Sequence, residues 1–151
     1  MKQNLILDFK DEARPAQPVD HLNISSEEML LLLSLFDPYG MWRMDIDSGK
    51  LFWTDDVYRI HGIERSGDSV DLAEAIECYH PEDRKYVQQV LEEAIGRKSG
   101  FRLVLRLKKP GGGYKLVKST GKYRELDSGQ REMFGTFSEF QSACRAIATY
   151  G

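Results

Sequence analysis

The chain is poor in the features that would place it outside ordinary globular proteins. Its 151 residues include only two cysteines, Cys78 and Cys144, far apart and without metal-ligand spacing. That excludes a disulfide framework and gives no reason to expect a bound metal. The longest apolar run, Met29 to Leu33, falls far short of the ~20 residues that span a bilayer. The first ten residues carry Asp8 inside their short apolar stretch and no cleavage site, so no signal peptide is expected and the expected location is the cytoplasm. No nucleophile is spaced with a base, and no glycine loop precedes a helix as phosphate binding requires. The expectation is therefore a protein that is not an enzyme. With 41% hydrophobic, 30% charged and 11% aromatic residues, the chain is neither disordered throughout nor fibrous. Its length suits one domain with tails, large enough to bury a core unaided.

The net charge of −3 hides a division. Residues 1–96 are strongly acidic. Residues 97–124 hold Arg97, Lys98, Arg102, Arg106, Lys108, Lys109, Lys115, Lys118, Lys122 and Arg124 and no acid at all. These cations are interleaved with apolar positions rather than gathered in a tail, which reads as a solvated sheet face. Nucleic-acid binding through this basic hairpin is the least favoured reading, because no recognition helix or exposed stacking run accompanies it.

Residues 1–24 read as an N-terminal extension. Ala13 to Pro18 has linker composition, and Leu5, Ile6, Leu7 and Phe9 suit a short strand or hook. Residues 25–37 read as a helix. Ser25 and Glu28 fit a capping box, and Pro38-Tyr39-Gly40 ends the run. Met29, Leu30, Leu31, Leu32, Leu33, Leu35 and Phe36 make this helix apolar nearly all round, so a second surface must cover what its own domain leaves bare. Residues 40–46 and 51–54 form a hairpin about Asp47-Ser48-Gly49-Lys50. Two short helices follow, one capped by Thr54 or Asp55 and stopped by Gly62, the other over residues 71–79. The spacing then predicts a longer helix opening at Pro81 and closing at Gly96, with Val87, Val90, Leu91, Ala94 and Ile95 on one stripe. Three strands follow, over residues 101–108, 114–123 and 131–140. Ala143, Ala146, Ile147 and Tyr150 share one helical face in the tail, residues 141–151. This order predicts an α+β domain with a five-stranded antiparallel sheet, helices on one face and an N-terminal helix.

Several of these segments together resemble the PAS domain, in the subclass common in bacterial signalling proteins. The resemblance rests on Gly40-Met41-Trp42-Arg43-Met44-Asp45 through Trp53-Thr54, on Val57-Tyr58-Arg59-Ile60-His61-Gly62, and on His80-Pro81-Glu82-Asp83-Arg84. It continues through Phe101 to Leu107, Pro110-Gly111-Gly112, Tyr114 to Val117, and Met133-Phe134-Gly135-Thr136. It covers residues 40–140. The chain departs from the family in having Gly111-Gly112 where Asp-Gly is usual, and Leu116 where tryptophan is usual; Gly-Gly serves the turn equally well.

The resemblance implies a stand-alone PAS signalling module acting by protein–protein contact on a partner such as a histidine kinase. Because the sequence ends soon after the last strand, its output is expected to act in trans. In related domains the pre-domain helix often lies at a dimer interface, so a homodimer through Met29, Leu30, Leu32, Leu33 and Phe36 is expected. The alternative is a sensor holding a small molecule between sheet and helices. Candidates for lining that space are Trp42, Met44, Trp53, Tyr58, Ile76, Tyr79 and Val87, with Leu91, Phe101, Leu103, Leu105, Met133 and Phe137. The same residues equally suit a filled core. No cofactor is expected. Haem-binding relatives use a histidine on the long helix, where residues 82–96 have none, and Cys78 lacks the surrounding run of flavin-binding relatives. His80, Asp83 and Arg84 read as structural residues around the start of the long helix, and Cys78 as a packed thiol.

Overall fold

The computed structural model describes residues 14–140 and 145–151. The proposed hook at Leu5 to Phe9, and Ala143 and Cys144, lie outside the described residues.

The first helix, α1 (Ser26–Ser34), begins where the capping box predicts. Ser25 donates its backbone N–H to Glu28 Oε1 at 3.0 Å, and its Oγ accepts from the Glu28 N–H at 3.1 Å. This satisfies two donors that a helix N-terminus otherwise leaves orphaned. The helix stops before the predicted residue 37, with the Ser34 hydroxyl donating to the Leu30 carbonyl at 2.8 Å. The chain then enters the hairpin β1 (Tyr39–Asp45) and β2 (Lys50–Trp53).

Helix α2 (Asp55–His61) ends at Gly62, whose φ of +69° closes the C-terminus. A side chain at Gly62 would also meet the Pro110 ring. Thr54 occupies the N-cap position but does not cap α2 with its side chain, since its hydroxyl accepts from the Met41 N–H at 2.9 Å. The two-residue strand β3 (Val70–Asp71) leads directly into α3 (Leu72–Glu77).

The long helix, α4 (Arg84–Arg97), starts three residues later than Pro81 predicts. Residues 81–83 form a turn instead, with the Asp83 N–H donating to the His80 carbonyl at 2.8 Å. The Asp83 carboxylate faces strand β4 (Gly100–Lys108) rather than the helix end. Gly96 lies within α4. Lys98 closes it instead, at φ +51°, where its N–H reaches the Ala94 and Ile95 carbonyls. Strands β5 (Tyr114–Glu125) and β6 (Arg131–Glu139) complete the sheet. Residues 145–151 carry no regular structure, so the face shared by Ala146, Ile147 and Tyr150 does not form a helix there.

All five predicted strands are present in one antiparallel sheet of order β3-β2-β1-β6-β5-β4, with the short β3 added at one edge through Leu51 opposite Val70. Period-two alternation sorts its faces. Trp42, Met44, Leu51, Trp53, Leu103, Leu105, Leu107, Val117, Met133 and Phe137 are buried toward the helices. They meet Val57, Ile60, Ile76, Val87, Leu91 and Ala94 from α2, α3 and α4 in one core. Each fully buried large apolar side chain contributes about 1.5–3 kcal/mol. At Gly121 a Cβ would lie 2.4 Å from Phe101 and 2.9 Å from Trp42, so its absence lets those two rings stack at 6.0 Å.

Candidate functional site

Between the sheet and helices α3 and α4 the core leaves a cavity of about 60 Å³. Trp42, Met44, Trp53, Ile76, Tyr79, Val87, Leu91, Phe101, Leu103 and Phe137 line it, as proposed from the sequence. Tyr58, Leu105 and Met133 are buried in the same core without reaching the cavity. Leu51, His61, Leu72, Ala75 and Ser119 complete the wall.

His61 is the least expected member. Next to Gly62 it reads as a turn residue, yet it occupies the last turn of α2, four residues after the buried Val57, and is buried with it. Its ring lies between Trp53, at 4.3 Å and nearly parallel, and Phe137, at 4.6 Å. His61 Nδ1 lies 2.8 Å from the Val57 carbonyl oxygen. A carbonyl only accepts, so Nδ1 carries the proton and Nε2 is left as an acceptor. Burial lowers the imidazole pKa to about 4, so the ring is neutral at pH 7.

Two further polar groups sit in the apolar wall. Trp42 Nε1 donates to Ser119 Oγ at 3.1 Å and to the Thr136 carbonyl at 3.0 Å, while Ser119 Oγ donates to that carbonyl at 2.9 Å. This cluster locks the indole that roofs the cavity. Tyr79 is buried, and burial pushes its phenol well above the ordinary range, so the hydroxyl stays protonated.

The His80 to Arg84 segment is a structural clasp. His80 Nδ1 accepts from the Glu82 N–H at 3.1 Å, and its ring packs 4.5 Å from Tyr114. Asp83 accepts three hydrogen bonds from Arg106, through the backbone N–H and Nε at 3.0 Å and Nη2 at 2.8 Å. Burial alone pushes the Asp83 carboxyl up, but these bonds and the adjacent charge outweigh it and hold the carboxyl below its usual range. Arg84 donates to the Tyr79 and Glu77 carbonyls, tying the ends of α3 and α4 together. Cys78 is half-buried with its thiol toward the Glu74 carbonyl, and burial raises its pKa, which disfavours the nucleophilic thiolate. Among the described residues no group of histidine, cysteine and carboxylate side chains is placed to hold a metal ion.

The second candidate surface is α1. None of its residues is buried. Met29 and Leu30 are half-buried, whereas Leu31 is 58%, Leu32 62%, Leu33 53% and Phe36 56% exposed. Such a row is far from the scattered single apolar residues of an ordinary surface.

The basic block divides as interleaving predicts. Lys98 pairs with Glu125, Arg106 with Glu82 and Asp83, Lys115 with Glu139, and Arg124 with Glu132. Glu132 escaped the sequence reading. It faces away from the core yet is only 1% exposed, covered by Arg43 at 2.7 Å and Arg124 at 3.4 Å. Those guanidinium groups in turn lie over Phe52, at 4.0 Å, and Phe134, at 4.2 Å.

A single antiparallel sheet with short helices folded over one face and a small, partly open cavity between them defines a recognisable class of α+β domain. The chain belongs to the PAS fold family, whose model matches residues 50–137. The family's sensory domains are non-catalytic, in keeping with the structural roles found for His80 and Asp83.

Solved structures share the fold at low identity. A sensory box histidine kinase/response regulator from Burkholderia thailandensis E264 aligns with TM-score 0.59 and 20% identity, over 74% of this chain and 84% of that one. A domain of a putative light and redox sensing histidine kinase from Haloarcula marismortui aligns with TM-score 0.61 and 14% identity, over 77% and 100%. The PAS-B domain of Drosophila melanogaster Cycle, with bound ethylene glycol, aligns with TM-score 0.53 and 14% identity, over 67% and 99%. No curated protein matches the chain. Among the described residues no helix is long and apolar enough to cross a membrane.

Proposed function

We propose that this PAS domain regulates signalling by protein contact, as a homodimer built on α1 that acts on a partner such as a histidine kinase. The observation that carries the reading is the open apolar surface of α1 and the bend after it, where Leu31, Leu32, Leu33 and Phe36 are each more than half exposed. A nine-residue helix is marginal by itself, so a partner surface that covers it also stabilises it. The occurrence of the fold in sensory histidine kinases from Burkholderia thailandensis and Haloarcula marismortui supports the kinase as partner class. Sedimentation at micromolar concentration tests the reading. Wild type is expected to be dimeric and Leu33→Glu monomeric with an unchanged far-UV spectrum; a monomeric wild type contradicts it.

The cavity supports a second reading, in which a small ligand adjusts that contact. At about 60 Å³ it is well below the roughly 300–1,000 Å³ of pockets that hold drug-sized ligands. Its scale suits a molecule of a few non-hydrogen atoms, with His61 Nε2 as acceptor and the Tyr79 hydroxyl as donor beside an apolar wall. The related Cycle domain with bound ethylene glycol is of that scale. Native mass spectrometry of freshly purified protein separates the readings: a retained small organic molecule supports sensing, and its absence favours contact alone.

A further inference from the structure

Ion pairs absorb only part of the basic block of residues 97–124. Lys98, Arg106, Lys115 and Arg124 have acidic partners, whereas Arg102, Lys118 and Lys122 have none among the described residues. Strand alternation places these three on the outer face of the sheet. Arg102 lies opposite Thr120, and Lys118 and Lys122 stand two residues to either side of Thr120 on β5, with Arg124 next in line. Side chains on one face of a strand repeat about every 6.8 Å, so the cations run roughly 20 Å along β5 from Lys118 to Arg124. Thr136 and Ser138 of β6 lie beside this stripe, opposite Thr120 and Lys118. Glu132 shares the face but is already buried beneath Arg43 and Arg124. Planar groups border the stripe. Arg43 lies over Phe52 at 4.0 Å and Arg124 over Phe134 at 4.2 Å. Each guanidinium rests one face on its ring, while 38% and 41% of the two side chains stay exposed. An open groove of about 390 Å³ is lined by both stacks. From the sequence no exposed stacking run accompanies the basic block; the sheet assembles one from β1, β2, β5 and β6.

We propose that this face binds single-stranded nucleic acid, with phosphates along the β5 cations and bases laid on the open guanidinium planes of Arg43 and Arg124. The proposal is independent of the α1 association above. Charge supports it, because three unpaired cations, and two arginines that share one carboxylate, leave the stripe about four positive charges in excess. The hydroxyls of Thr120, Thr136 and Ser138 add donors of the kind that bind phosphate oxygens. The two guanidinium planes favour nucleic acid over an acidic peptide, since every base offers a flat face to stack and a carboxylate offers none. They also favour a single strand over a duplex. Only unstacked bases can reach them, and the face carries no helix or ribbon to enter a major groove.

Fluorescence anisotropy of a labelled oligothymidylate of about ten nucleotides, titrated with the full-length chain, tests the face. Binding is expected with a dissociation constant of tens of micromolar or tighter at about 50 mM salt, and log K should fall against log salt with a slope of about −2 to −3. Lys118→Gln with Lys122→Gln is expected to reduce that slope by about 1.4 and to weaken binding about tenfold. An abasic strand of the same length carries the same charge without bases, and is expected to bind about tenfold more weakly with an unchanged slope. No binding at low salt overturns the proposal. So does an abasic strand, a duplex of the same length or polyglutamate that binds as tightly, because the face would then collect charge alone. An unchanged slope in the double variant overturns the assignment to β5. If that variant loses its far-UV spectrum, Arg102→Gln replaces it, with a slope reduction of about 0.7 expected and an unchanged slope equally fatal.

Discussion

On the inner face of the sheet, Trp42, Met44, Leu107, Val117, Met133 and Phe137 are buried against three helices, which leave a cavity of about 60 Å³ between them and the sheet. On the outer side, Phe52 and Phe134 lie beneath arginines, and α1 with Phe36 just after it keeps four large apolar side chains more than half exposed. Both regions are rich in large apolar residues. They differ in what covers them, helices on the inner side and arginine side chains or solvent on the outer. The inner surface serves stability, and the outer surface is open to the association proposed above.

Substitutions on the two sides should therefore separate stability from assembly. The largest expected effect is on the inner side. Phe137→Ala removes a core ring that also packs on His61, and should cost about 4 kcal/mol in chemical denaturation. Next is acid. The His61 pKa of about 4 in the fold lies below its ordinary 6.5, so between those values the unfolded chain binds a proton that the native chain refuses. Stability should fall as pH drops from 6.5 toward 4, by up to roughly 3 kcal/mol, and His61→Phe should flatten that dependence. Measuring denaturation midpoints across this range decides it.

A smaller effect is expected at the clasp. Asp83→Ala leaves the Arg106 N–H and guanidinium without their carboxylate and should lower stability by about 2 kcal/mol. The smallest belongs to the outer side, where Leu32→Ser should change the stability of a dilute monomer by less than about 0.5 kcal/mol. A large loss there would show that α1 serves the core of its own domain, erasing the distinction between the two sides.

Much of the fold was legible because local rules and burial agreed. The capping box at Ser25 and Glu28, the hairpins and the alternation in β4 each carry their own signal. The cavity wall was largely readable because the relevant strand residues alternate inward, as Trp42, Met44 and Leu103 do. What escaped was set by tertiary partners. Asp83 and the start of α4 depend on Arg106, distant in sequence, and Thr54 gives its hydroxyl to Met41 instead of its own helix. His61 looked like part of a turn because glycine follows it, although its position one turn after Val57 puts it on the buried side of α2. Ser119 and Glu132 carry polar side chains at positions where only the assembled sheet supplies the indole or the arginines that satisfy them.

The central claim, that α1 is completed by another chain, is tested most directly by hydrogen–deuterium exchange of the α1 amides at several protein concentrations. Protection of residues 30–34 should rise from low to micromolar concentration while that of β5 and β6 stays constant. Protection of α1 that is equally high at every concentration would contradict the claim, because the helix would then be complete within a single chain.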